Sequence, residues 1–319
     1  MVERTNCTDL EGISQIPEVM RPQPGQKPYV MTRFIEKSEP VRQELLELVG
    51  VIISCGEEDI LGGYINDIVD ILRTFLMDPF SQIQIRACQI TAEFSSRYNE
   101  LLYNFGQILC RALLTPLCGK KSPIIIAALE AMREVLYIGT WKFSVFCMEI
   151  LTGYRDPNSV AIKEFYEPSH NYNYLAIFIN HPNISVRECF LRIVGDWMTT
   201  LPDRYDHEAR LIPYLLSGLF DRQEEMQEST LEVMEEIGVA LERDKEQQFR
   251  EEKQFGVHPP WSYDGKLFNL PLPSPFKTRP RLGCQNLVKN RMGVLIHPIQ
   301  RELKDNVNLD AKLKATQLL

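Results

Sequence analysis

The stretch 64–98, YINDIVDILRTFLMDPFSQIQIRACQITAEFSSRY, limits the possible folds more than any other part of the chain. Ile68, Ile71, Leu72, Phe75 and Leu76 stand at i, i+3, i+4, i+7 and i+8, the apolar stripe of a helix packed on one face. Asp78-Pro79 then interrupts the pattern, since proline lacks an N–H and disfavours helix at the residue before it, while Asp can cap the next helix. A second stripe resumes with Ile83, Ala87, Ile90, Thr91 and Phe94. Two amphipathic helices joined by so short a turn form an antiparallel hairpin, and neither buries its apolar face unless another hairpin stacks beside it. The expected fold is all-α, an α-solenoid of HEAT-type antiparallel helical hairpins.

The unit recurs. A β-branched residue before Arg86 and an apolar run after it has counterparts at Val41-Arg42, Ile124-Ile125, Val186-Arg187 and Met226-Gln227. From 42 to 86 is 44 residues, from 86 to 125 is 39 and from 187 to 227 is 40, against roughly 40 to 47 for HEAT and armadillo units. The step from 125 to 187 is 62, one period plus about twenty residues by the same rule. The polar segment 153–172 supplies that surplus.

Helices are expected over 40–55, 62–77, 80–98, 101–118, 123–138 and 141–151, then over 182–200, 208–220 and 224–248. Ser38-Glu39-Pro40 offers a cap and a first-turn proline. Residues 1–37 read as a polar, proline-containing leader and 38–250 as the solenoid with its insertion. Residues 251–280 are a proline- and aromatic-rich crossing, and 281–319 are further HEAT-type helices cut short inside LDAKLKATQLL, as in the front piece of a longer protein.

A net charge of -8 and a pI near 5.3 argue against nucleic acid as the main partner, because phosphate contacts need a basic footprint. No apolar run reaches membrane-spanning length and no secretory leader is present, so the expected location is the cytoplasm. The eight cysteines are scattered without metal-ligand spacing and read as reduced core thiols. No phosphate loop, dinucleotide loop, zinc-protease or hydrolase motif occurs. The expectation is a non-enzyme without cofactor or metal.

Binding residues are sought on the helix surfaces. Arg86 and Arg187 either contact a partner or brace adjacent repeats, and bracing is the favoured role. Glu224, Glu225 and Glu228 open a long acidic helix that is either a solvated face or a surface for a basic partner. Trp261 either packs the crossing onto the solenoid or serves as a ligand for another protein.

Several stretches carry a resemblance: YINDIVDILRTFLMDPFSQIQIRAC, AALEAMREVLYIG, ISVRECFLRIVGDW with LPDRYDHEARLIPYLLSGLFD, and RPRLGCQNLVKNRMGVLIHPIQRELKDNVNLDAKLKATQLL. Together they resemble the HEAT-repeat dynein axonemal assembly factors, and the last is not generic HEAT consensus. The resemblance implies a cytoplasmic factor that preassembles axonemal dynein arms with chaperones and other assembly factors. It would hold dynein intermediate and heavy chains, and it brings no catalytic residues. Ile125 departs from the pattern, where a HEAT second helix often has arginine. The alternative is a general HEAT adaptor such as a transport receptor or phosphatase scaffold.

Overall fold

The computed structural model describes residues 36–139, 141–152, 173–255, 272, 274–289, 295–296, 299–300, 303 and 309–318. The insertion at 153–172, Trp261, residues 1–35 of the leader and most of the crossing lie outside them. The described elements are helices: α1 (Glu39–Cys55), α2 (Glu58–Gly62), α3 (Ile65–Leu76), α4 (Ser81–Arg97), α5 (Gly106–Leu117), α6 (Ser122–Val135) and α7 (Trp141–Thr152). There follow α8 (Tyr174–Ile179), α9 (Ile184–Thr200), α10 (Arg204–Ser217), α11 (Glu224–Asp244), α12 (Glu246–Phe255), α13 (Leu282–Lys289) and α14 (Leu309–Leu318). The fold is an all-α solenoid of helical hairpins.

Two compact units divide after Phe143. In the first, α3 pairs with α4 and α5 with α6, while α1, α4 and α6 form one row of second helices and α3 and α5 the other layer. Leu46, Ile53, Leu72, Phe75, Ile83, Ile90 and Phe94 are fully buried between the layers. In the second unit, α8 pairs with α9 and α10 with α11. One row runs α9, α11, α13, and α10 packs against α8 and α14. Trp197, Phe178 and Phe190 fill its core.

Local chemistry sets the helix ends. Pro40 sits in the first turn of α1, where its missing N–H costs nothing. Asn173 Oδ1 accepts the Ala176 N–H at 3.1 Å and Asn183 Oδ1 the Ser185 N–H at 2.8 Å, capping α8 and α9. Ser38 holds the cap position of α1, but its side chain makes no cap bond. Asp78 is not the cap of α4 either. Phe80 takes that position, and Asp78 Oδ1 accepts the Phe80 N–H at 2.9 Å, inside the turn.

Other boundaries also differ from expectation. Residues 101–105 are turns, and α5 begins at Gly106, where a Cβ would lie 2.7 Å from the Phe143 ring and only glycine fits without a shift. The acidic helix ends at Asp244 and α12 follows it. Of the seven described cysteines five are buried, Cys55 is half-buried and Cys118 is exposed. Burial pushes the Cys88 thiol up to about 12 and the Cys284 thiol up to about 11.

Candidate interaction surface

The fourth residue of a second helix builds the first feature. Arg42 is the fourth residue of α1, and its Nε and Nη2 fork onto Asp78 at 2.8 and 3.3 Å while Nη1 donates to the Glu36 and Lys37 carbonyls. Arg187 is the fourth residue of α9 and repeats the pattern. Its Nη2 donates to Asp221 Oδ1 at 3.0 Å and to Gln223 Oε1, its Nε lies 3.0 Å from Asp221 Oδ2 as a charge contact without a hydrogen bond, and Nη1 donates to the His181 and Pro182 carbonyls. Both aspartates stand three residues before the next second helix, and both accept a backbone N–H two residues on. Each fork therefore ties one hairpin to the turn of the next.

Asp221 carries a further load. Lys314 from α14, itself buried, donates to its Oδ2 at 2.9 Å. Burial alone would raise the Asp221 carboxyl, but hydrogen bonds from Lys314 and the Gln223 N–H, with the charges of Lys314 and Arg187, hold it below the usual carboxylate value. Burial lowers Lys314 despite the pairing.

Arg86 is different. It is the sixth residue of α4, and its Nε lies 2.8 Å from Glu47 of α1 with both side chains about a third exposed or more. Its guanidinium pKa is raised by that hydrogen bond. The residue in register with Arg42 and Arg187 is Gln84, whose amide donates to the Leu76 carbonyl at 2.9 Å. Gln227 is the next equivalent and reaches the Asp221 carbonyl at 2.6 Å.

Glu224, Glu225 and Glu228 are exposed on α11. Further along the same helix, the returning chain meets the acidic stripe at seven-residue intervals. Lys277 Nζ lies 2.6 Å from Glu228, Arg281 Nε 2.7 Å from Glu235, and the Gly283 N–H donates to Glu242 at 3.0 Å. Leu231, Met234, Phe276 and Pro280 line an open groove of about 510 Å³ there. Glu228, Glu235 and Glu242 are thus engaged by the chain's own segment 277–283, while Glu224 and Glu225 of the first turn make no hydrogen bond to it among the described residues.

Ser144 of α7, Asp203 just ahead of α10 and His207 within α10 also converge. Ser144 Oγ donates to Asp203 Oδ2, while His207 Nε2 lies 3.1 Å from Ser144 Oγ and 3.2 Å from Asp203 Oδ2. A hydrolytic relay needs the carboxylate on one imidazole nitrogen and the hydroxyl on the other. Here both share Nε2, His207 is fully buried, and Nδ1 has no hydrogen-bond partner among the described residues. The cluster is a polar brace between α7 and α10. Among the described residues no group of three His, Cys, Asp or Glu side chains could hold a metal ion.

The sequence pattern of the family described as "Dynein axonemal assembly factor 5-like, TPR repeats" matches residues 26–151 and 174–252. The chain belongs to this family. Counted in the structural register, from 42 to 84 is 42 residues, from 84 to 125 is 41 and from 187 to 227 is 40. That is longer than the roughly 34 residues of a tetratricopeptide unit and fits a HEAT or armadillo unit.

The chain is similar to dynein axonemal assembly factor 5 of Xenopus laevis, with 23% identity over 288 residues, 90% of this chain and 30% of that protein. The Homo sapiens protein is 25% identical over 89% of the chain and 29% of its own length, and the Mus musculus protein 24% over 95% and 30%. The chain therefore spans about 30% of the length of these relatives. Among solved structures, a designed armadillo repeat protein aligns over 90% of this chain and 95% of its own at 12% identity and a TM-score of 0.47. No described helix is long and apolar enough to cross a membrane.

Proposed function

We propose that this chain is the helical-repeat portion of a non-catalytic assembly factor for axonemal dynein arms, acting in the cytoplasm before the arms enter the cilium. It holds dynein chains, the intermediate chain first and the heavy chain with it, alongside chaperones and other assembly factors. The observation that carries this reading is the family match over residues 26–151 and 174–252. Two features of the surface support it. The arginine–aspartate pairs Arg42–Asp78 and Arg187–Asp221 each brace one hairpin against the next within its own unit, and the first turn of α11 offers Glu224 and Glu225 to a basic client.

The test is affinity purification of the tagged chain from ciliated cells, with quantitative mass spectrometry against a helical-repeat protein of matched charge. Enrichment of axonemal dynein intermediate and heavy chains, reduced several-fold by Glu224→Lys with Glu225→Lys, is expected. Recovery of neither dynein chain, with transport or phosphatase subunits in their place, would overturn the reading in favour of a general adaptor.

A further inference from the structure

Helix α1 is apolar on two sides. Leu46, Val49 and Ile53 are buried, on the side turned toward α4. A second stripe carries Val41, Leu45, Leu48, Val51 and Ile52. Val41, Leu48 and Val51 are 43, 52 and 53% exposed, and Leu45 and Ile52 are half-buried. At 3.6 residues per turn these five fall within an arc of about 120°. Isolated surface hydrophobics are ordinary, but a stripe of this width over most of a seventeen-residue helix is the pattern of a face made to be covered.

The charges around the stripe are mostly negative, with Lys37 ahead of the helix and Arg86 on Glu47 as the cations beside it. Glu44 is exposed within it, Glu39 lies on the same helix, and the exposed Glu57, Glu58 and Asp59 follow its C-terminal end, while Glu47 is already neutralised by Arg86. The single cation of α1, Arg42, is turned inward onto Asp78. We propose that this face docks an amphipathic helix of another protein whose apolar stripe is edged with lysine or arginine. A second copy of α1 would set carboxylates against carboxylates, and an anionic lipid surface would be repelled in the same way. The inference goes beyond the assembly role and does not depend on it.

A suitable probe is a fluorescent synthetic helix with leucines at i, i+3, i+4 and i+7 and lysines along both edges, titrated by anisotropy into the full chain. Its control carries glutamate for every lysine. The variant Leu48→Ser with Val51→Ser removes apolar surface and leaves the charge untouched, and because both side chains are exposed its melting temperature should stay within a few degrees of the wild type. The expected result is binding of the leucine–lysine helix at least tenfold tighter to the wild type than to the variant, with the glutamate control weaker still.

Equal binding to wild type and variant, or no binding to the wild type, would overturn the proposal. So would sedimentation of the wild type as a dimer and of the variant as a monomer, which would assign the face to a second copy. A large fall in the variant's melting temperature would show that the chain itself covers the face, and would overturn the proposal too.

Discussion

Replacing Asp221 by alanine removes in one step the carboxylate shared by Arg187, at 3.0 Å, and Lys314, at 2.9 Å, together with the acceptor of the Gln223 N–H. Arg187 and Lys314 are only 7% and 6% exposed, so neither cation can turn to water. Breaking a buried ion pair by removing one partner costs about 3–5 kcal/mol, and losing the backbone acceptor adds about 1 kcal/mol. The expected destabilisation is therefore about 4–6 kcal/mol. Asp221→Asn keeps the acceptor and should be milder by about 1 kcal/mol. The triple change Asp221→Leu, Arg187→Met and Lys314→Met removes every charge, and should lie within about 2 kcal/mol of the wild type because no cation is left stranded.

Urea unfolding followed by circular dichroism gives the overall cost. Two compact units need not unfold together, so amide exchange in α9 and α11 locates the effect. A cost under about 1 kcal/mol for Asp221→Ala, or a triple variant as unstable as the single one, would refute the account of Asp221 as the neutralising centre of a buried cluster.

The geometry fixes three further outcomes. A Cβ at Gly283 would lie 2.1 Å from the Gly238 carbonyl oxygen, so Gly283→Ala should cost about 1–3 kcal/mol and speed amide exchange across 282–289, whereas unchanged exchange there would contradict the close crossing of α11 and α13. Arg86→Ala should cost less than about 1 kcal/mol, and less again at high salt, because its partner Glu47 is solvent-accessible; double-mutant cycles with Glu47→Ala measure it. The Asp203 and Asp221 carboxyls are both held below their usual value. Their contribution is thus present above the unfolded value of about 3.9 and lost as pH falls through the lower folded values. Between about pH 5 and 3 the urea midpoint should fall more steeply in the wild type than in Asp221→Asn.

The repeat length was legible in the sequence because apolar stripes and Pro or Gly punctuation report it directly. The register was not. Ile85-Arg86 imitates the Val-Arg pair of α1 and α9, but α4 begins at Ser81, which places Gln84 and not Arg86 in register with Arg42 and Arg187. The even spacing obtained with Gln84 was the available signal. The short helices Glu58–Gly62 and Tyr174–Ile179 left no trace, since five or six residues hold less than two turns of periodicity. Asp221 was overlooked because its partner stands 34 residues away. The acidic run on α11 looked like one open face, yet the cations that meet Glu228 and Glu235 come from 46 to 49 residues further on and share no pattern with it.

The same geometry explains why the arginine is missing at Gln84. A fork needs a carboxylate three residues before the next second helix, as Asp78 precedes Ser81 and Asp221 precedes Glu224. Before α6, which begins at Ser122, that place belongs to Gly119, where a Cβ would lie 2.8 Å from the Pro116 carbonyl oxygen. No aspartate fits there, so an arginine at 84 would have no carboxylate to meet, and glutamine satisfies the site from the Leu76 carbonyl alone. Arginine and aspartate thus occur together or not at all. Gln84→Arg should cost only about 1 kcal/mol, because the site is half-buried and the longer side chain can reach water. The reverse change, Arg42→Gln, strands the buried Asp78 carboxylate and should cost about 3–5 kcal/mol. Equal costs for the two substitutions in urea titrations would mean that the fork is incidental to the stacking of these hairpins.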